Sequence, residues 1–369
     1  MKCATLVLLA LAPASAQQIK INEIQLVGTH NSYHSGISPN EMANLRKLNP
    51  RAADSLEYRH PALETQLNDG VRQLEIDVYG DANGGLFAHP QGPVLAAKEG
   101  LPGDPPFDPN GIMMKPGFKV LHVQDVDYRS NCEPFTHCLA NIRAWSKAHR
   151  DHLPIFILVE NKDGKPALEG GAVPEPLTPE TFDALDAEIR SVFQPGEMIT
   201  PDDVRGRHKT LNEAILADGW PTLDKARGKV VFLLDQRRVG PLYTMGHPSL
   251  EKRVLFTNAA PGTPDAAFTE CNDSASNPDL VPSLIRKGYL VRTMTDPGFA
   301  GVKAHETAKR DASINSGAQI LSTDYPAGET AESGFFVTVR PAGQTYPNAR
   351  CNPVLKPVNC TDTMLKENR

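Results

Sequence analysis

The chain has 369 residues, of which 40% are hydrophobic and 22% charged, and a formal net charge of −6. That length permits one large α/β barrel as a single domain, and the balanced composition excludes disorder and a coiled coil. The acidic surplus argues against a nucleic-acid protein, which needs a basic face, and against a strong electrostatic membrane anchor.

The chain opens with Met1-Lys2, an apolar run from Ala4 to Ala12 and Ala14-Ser15-Ala16 before Gln17. This is the charged, apolar and small-residue order of a signal peptide. The run is too short to cross about 30 Å of hydrocarbon. Residues 1–16 are therefore expected to be removed and 17–369 to be secreted, extracellular or periplasmic. Removal takes Cys3 and leaves Cys132, Cys138, Cys271, Cys351 and Cys360. In an oxidising compartment close spacing makes Cys132 with Cys138, and Cys351 with Cys360, the natural pairs, with Cys271 left over, although spacing does not fix connectivity. No C-x-x-C pair or matching His spacing supports zinc.

Eight short runs rich in Val, Ile and Leu follow, at 24–28, 73–78, 119–123, 155–160, 229–234, 253–257, 290–294 and 318–322. Runs apolar on both faces suit buried parallel strands, and eight of them alternating with helices predict a (β/α)8 TIM barrel. Helices are predicted at 178–193 and 279–287, with capping residues and amphipathic spacing, and at 305–316, ending before Gly317. The Gly- and Pro-rich stretch 80–116 reads as a long loop over the barrel mouth. Residues after Tyr325 form a last connection and a Cys-bearing tail.

Polar residues concentrate along and just past the first four runs. Gly28-Thr29-His30-Asn31-Ser32-Tyr33-His34 begins at the end of the first, Glu75-Ile76-Asp77 lies in the second, His122 is in the third, and Glu160-Asn161-Lys162 ends the fourth. A parallel barrel gathers these positions at its C-terminal mouth, so His30, Asn31, Glu75, Asp77, His122 and Glu160 are expected to converge. Glu75 and Asp77, two apart on a strand, share one face while Ile76 takes the other. Two carboxylates held so close in a low-dielectric mouth repel unless a cation neutralises them. With Asn31 and Glu160 they make an all-oxygen ligand set, which predicts Ca²⁺ or Mg²⁺ rather than Zn²⁺. Any one of these acids alone reads at least as well as a salt-bridged or exposed residue, but the set does not. Two imidazoles beside a divalent cation suit phosphodiester cleavage, one stabilising the charged phosphorane and the other protonating the leaving alkoxide. Lys162, Arg292 and Asp324 lie near strand ends and are expected either to touch substrate or to form rim salt bridges.

These motifs, with Gly70-Val71-Arg72-Gln73-Leu74-Glu75-Ile76-Asp77, Leu121-His122, Val159-Glu160-Asn161 and Gly317-Ala318-Gln319-Ile320-Leu321-Ser322-Thr323-Asp324-Tyr325, resemble those of the calcium-dependent bacterial phosphatidylinositol-specific phospholipases C. Those of the first four strands are similar in order to the catalytic half of the eukaryotic phosphoinositide-specific enzymes. The resemblance implies one TIM-barrel phosphodiesterase domain over 17–369, with Asn31, Glu75, Asp77 and Glu160 on calcium and His30 and His122 catalytic. It implies attack by the inositol 2-hydroxyl within the same molecule, its proton passing to Glu75 or Asp77. His30 then stabilises charge and His122 protonates the leaving diacylglycerol, giving an inositol cyclic phosphate. The implied partner is a phospholipid or inositol phosphodiester at a transiently touched membrane surface, with no nucleic acid and a monomeric protein. The chain departs from the eukaryotic enzymes in showing none of their additional lipid-targeting domains and, where they carry phosphate-binding lysines on the fifth strand, in having Leu233-Leu234-Asp235-Gln236. An acid there disfavours phosphorylated inositides unless Arg237 and Arg238, which follow, compensate; as loop residues these are more often solvated.

A glycerophosphodiesterase or sphingomyelinase D-like enzyme also pairs two His with Glu-x-Asp on a barrel. The glycerophosphodiesterases, however, usually open with His-Arg, and Asn31 can bind a metal where Arg cannot. A non-catalytic metal-binding barrel gives His30 and His122 no purpose, and a glycosidase using Glu75 and Glu160 leaves both idle.

Overall fold

Runs buried on both faces become the staves of the barrel. The structure is a computed structural model and describes residues 19–341 and 347–367; the signal-peptide expectation falls outside them. Its strands are β1 (Ile24–Thr29), β2 (Gln73–Tyr79), β3 (Lys119–Val120), β4 (Ile155–Asn161), β5 (Val230–Leu234), β6 (Leu255–Thr257), β7 (Phe268–Glu270), β8 (Leu290–Met294), β9 (Ile320–Thr323) and β10 (Ala349–Cys351). Eight of them run parallel in the order β6-β5-β4-β2-β1-β9-β8-β7. The two ends of that order meet where Asn258 bridges in parallel to Phe268 and the Ala259 N–H donates to the Phe268 carbonyl at 3.1 Å. Residues 155–159 of β4 and all of β5 are no more than 1% exposed, each large apolar side chain stabilising the fold by roughly 1.5–3 kcal/mol.

Two expectations about the staves need correcting. The run 119–123 is not one of them: β3 is only two residues long and pairs antiparallel with the end of β2, Val120 opposite Val78. β2 pairs directly with β4 instead, residue for residue from Gln73 with Phe156 to Val78 with Asn161. The Glu133 carboxylate takes the Val120 N–H at 3.0 Å and the Lys119 ammonium turns to Asp81 at 3.2 Å. The chain then leaves the sheet for a turn bridged between Val123 and Asp127. The missing stave is β7, three residues long, behind the turn-forming Pro261-Gly262-Thr263-Pro264 and too short to show a period.

The expected helices are present as Pro179–Val192, Leu280–Arg286 and Ala308–Ser316. Thr178 caps the first by accepting the Thr181 N–H at 3.3 Å, and Gly317 ends the last in the left-handed conformation at φ 79°. The stretch 80–116 contains a helix, Gln91–Lys98, and contributes Phe87 and Met113 to a small core with Tyr79, Leu121 and Tyr128. Glycine is required at position 28, where β1 meets β2, because a Cβ there would lie 2.1 Å from the Gln73 side-chain oxygen.

The tail covers the opposite end of the barrel. β10 lies antiparallel to the start of β1, Cys351 opposite Ile24. The buried Arg72 donates to Glu367 at 2.8 Å and stacks over Trp145. Both natural cysteine pairs are formed, Cys132–Cys138 and Cys351–Cys360, and Cys271 is free. Among the described residues no helix is long and apolar enough to cross a membrane.

Candidate active site

At the end of β1 the chain turns through Asn31 in the left-handed region, φ 45°, which Asn tolerates better than most residues. The turn is clamped to β2: the Ser32 N–H donates to the Glu75 carbonyl at 2.9 Å and the Glu75 N–H to Ser32 Oγ at 2.8 Å. Asn31 is thereby held beside the acids. On β2 the two-residue period puts Glu75 and Asp77 on one face, and the β2–β4 register sets Asp77 opposite Glu160. Oxygens of Glu75, Asp77 and Glu160 lie within 4.8 Å of one another.

The acceptors in this cluster are incompletely satisfied. Asn31 donates from Nδ2 to the Tyr58 hydroxyl at 2.7 Å, leaving its buried Oδ1 without a partner. Neither Asp77 oxygen accepts a well-aligned hydrogen bond, although the Lys162 ammonium is 3.0 Å from Oδ2. Burial, and then the Glu160 charge, holds the Asp77 pKa well above the carboxylate range. Burial raises Glu75 also, against the lowering effect of Arg292 and His30. Orphaned buried oxygens of this kind fit a hard divalent cation, which Glu75, Asp77 and Glu160, with Asn31 Oδ1 beside them, could hold.

Each histidine has its own carboxylate. His30 places Nδ1 2.8 Å from Asp324 and Nε2 3.7 Å from Glu75. Burial opposes its charge, but Asp324 and then Glu75 prevail and push its pKa up to about 10. Asp324 is itself positioned by Asp296, which takes its N–H at 2.7 Å. His122 places Nδ1 2.8 Å from Asp127 Oδ2, while Asp127 Oδ1 is 2.8 Å from Nε2 of the fully buried His34. Burial raises the Asp127 pKa, but the bonds to the two imidazoles outweigh it and hold the carboxyl below its ordinary value. With Nδ1 bound to Asp127, Nε2 is the nitrogen His122 keeps for a reacting group. Tyr58 joins the two halves of the site, its ring 4.4 Å from that of His34 and its hydroxyl on Asn31.

All six residues expected to converge stand at this mouth, although His122 reaches it from the turn after β3 rather than from a stave. Lys162, Arg292 and Asp324 are there too, each engaged by a neighbour. Lys162 is 3.0 Å from both Asp77 and Glu160. Arg292 donates to Glu75 at 2.7 Å and to Asn272 at 2.8 Å. Asp127, Asp296 and Tyr58 were not anticipated from the sequence. Only Asp127 had a local signal, five residues after His122, and it becomes visible once the Val123–Asp127 turn closes. A cleft of about 950 Å³, lined by residues that include Tyr58, His60, Asp324 and Tyr325, adjoins the site at Asp324, the partner of His30.

Carboxylate-held imidazoles beside a hard-cation site are suited to phosphodiester cleavage, and a parallel eight-stranded barrel carrying them places the protein among the TIM-barrel phosphodiesterases. The family model of the Ca²⁺-dependent phosphoinositide phospholipases C matches residues 19–353, and the chain belongs to that family. Its fold is similar to that of the calcium-dependent phosphoinositol-specific phospholipase C from Pseudomonas sp., at 17% identity and a TM-score of 0.52, covering 92% of this chain and 97% of that one. A myo-inositol complex of the Pseudomonas enzyme matches at 18% identity and the same TM-score, covering 92% and 97% of the two chains. The Ca²⁺-dependent phosphatidylinositol-specific enzyme from Streptomyces antibioticus matches at 20% identity and a TM-score of 0.50, covering 83% and 95%. Among curated proteins no sequence matches the chain.

Proposed function

We propose that this phosphatidylinositol phosphodiesterase works by intramolecular attack of the inositol 2-hydroxyl on phosphorus, releasing diacylglycerol and an inositol cyclic phosphate. The observation that carries the reading is the pair of imidazoles, His30 held by Asp324 and His122 held by Asp127, at the mouth that also carries the acid cluster. Asn31, Glu75, Asp77 and Glu160 would hold the calcium, which would supply positive charge to the phosphate and lower the pKa of the attacking hydroxyl. The Glu75–Asp77 pair accepts that proton, within a step that gains from proximity. His30, fixed by Asp324, faces the charge that grows on phosphorus. His122, held through Nδ1 by Asp127, carries a proton on Nε2 to the departing glycerol oxygen.

Head-group choice follows from the charges around the cluster. Arg292 lies between Glu75 and Glu270, and Asp235 acts on both acids. Arg237 is taken up by Asn258 and Thr269, and Arg238 by Asp163. This wall favours ring hydroxyls over ring phosphates, so unphosphorylated phosphatidylinositol is the substrate. The Pseudomonas complex with myo-inositol supports the same head group. The N-terminal pattern of residues 1–16 and the two disulfides support a secreted enzyme, which we take to be a monomer touching membrane transiently. In mixed-micelle assays with calcium, kcat/KM for phosphatidylinositol is expected to exceed that for its 4-phosphate by roughly tenfold or more, since like charges repel strongly in a desolvated site. Equal or faster cleavage of the phosphorylated lipid contradicts the head-group assignment.

A further inference from the structure

We propose that the Lys162 ammonium is a built-in counter-cation that holds the acid cluster together without metal and is displaced when calcium binds. This rests on the calcium reading of the cluster. Lys162 Nζ lies 3.0 Å from Asp77 Oδ2 and 3.0 Å from Glu160 Oε2, spanning two of the carboxylates assigned to the metal. The remaining partners are divided among other groups: Arg292 serves Glu75, and Gln236 Nε2 takes the other Glu160 oxygen at 3.1 Å. The backbone fixes where this side chain starts, since the Lys162 N–H donates to the Val78 carbonyl at 2.9 Å at the end of the β2–β4 ladder. From there the side chain folds inward and is only 18% exposed, unusual for a lysine, which normally keeps its head in water.

Calcium binds carboxylate oxygens at about 2.3–2.6 Å. An ion on the facing oxygens of Asp77 and Glu160 would then stand within about 4 Å of an ammonium bound to the same two oxygens. Two cations so close in a buried mouth repel, and the divalent one has more to gain from the unpartnered Asn31 Oδ1, which a lysine bound elsewhere in the cluster leaves unused. Lysine suits a displaceable role because its compact charge rides on a flexible four-carbon stem, whereas an arginine fork would hold both carboxylates rigidly. Lys162 therefore keeps Asp77 and Glu160 gathered in the metal-free enzyme and sets calcium affinity by competition.

Two measurements on the full mature protein test this. In calorimetric titrations with calcium chloride, Lys162→Met and Lys162→Gln are expected to bind calcium about tenfold more tightly than wild type, because a competing cation is gone. Unchanged or weaker binding overturns the proposal while leaving the metal site intact. Absence of calcium binding in wild type and variants alike overturns both. On the unmutated protein, reductive methylation read by mass spectrometry should modify Lys162 slowly in chelator and several-fold faster in calcium. The exposed Lys252, 79% accessible, should react equally in both. A Lys162 rate that calcium does not raise overturns the displacement.

Discussion

Asp127 divides one carboxylate between two imidazoles, and what each gains differs. His34 is sealed under Tyr58 with no exposed side-chain surface, whereas His122 keeps a fifth of its side chain open to the mouth. His122 can therefore meet substrate, and Asp127 acts through it by fixing the tautomer. A general acid matters most for a poor leaving group and contributes roughly 10²–10⁴-fold. His122→Ala is thus expected to lose activity in that range on phosphatidylinositol and to recover most of it on an analogue with a nitrophenol or thiolate leaving group. Asp127→Asn should follow the same pattern more mildly, while His30→Ala stays impaired on both substrates because phosphorane charge develops whatever departs. Equal losses for all three variants on both substrates contradict this division of roles. The acids were legible in sequence because a period of two on a strand fixes their common face. Asp127, Asp296 and Tyr58 were not, since their meaning lies in contacts that only the closed turn or the folded mouth creates.

Strands were legible where they are long and buried on both faces, as in β4 and β5, and illegible where context decides. The run at Lys119 has the composition of a stave, yet Glu133 and Asp81 draw its backbone and side chain away from β4. Phe268–Glu270 has too few residues to declare a period and is a stave because β8 and Asn258 receive it. Between the helix Phe135–Ala148 and β4 lies His152, fully buried, with Nδ1 on the Leu153 carbonyl at 2.5 Å and Nε2 on Ser146 Oγ at 2.7 Å. Burial holds its pKa down, from 6.5 to about 4. The unfolded chain therefore takes up a proton in that window while the native state does not. This contribution to stability is complete above pH 6.5 and is lost as pH falls to about 4, in all about 3 kcal/mol. Urea denaturation of wild type across this range should show that loss relative to His152→Gln, which has no proton to gain. Parallel pH profiles for the two proteins contradict it.

Across the whole molecule the two ends of the barrel are separated by task. The N-terminal end is closed by β10, the Cys351–Cys360 loop and the Arg72–Glu367 pair. The C-terminal end gathers every residue assigned to chemistry, from β1, β2, β4, β8, β9 and the turn after β3. That separation is what a (β/α)8 barrel provides, and it explains why short motifs spread over about 300 residues read together as one site. The central claim is calcium-dependent cleavage by internal attack, and ³¹P NMR of phosphatidylinositol micelles treated with the enzyme tests it most directly. With calcium the first product is expected to show the downfield resonance of a five-membered cyclic phosphate, and with excess chelator the lipid signal is expected to remain unchanged. Turnover in chelator, or an acyclic inositol phosphate formed from the outset, would contradict the account.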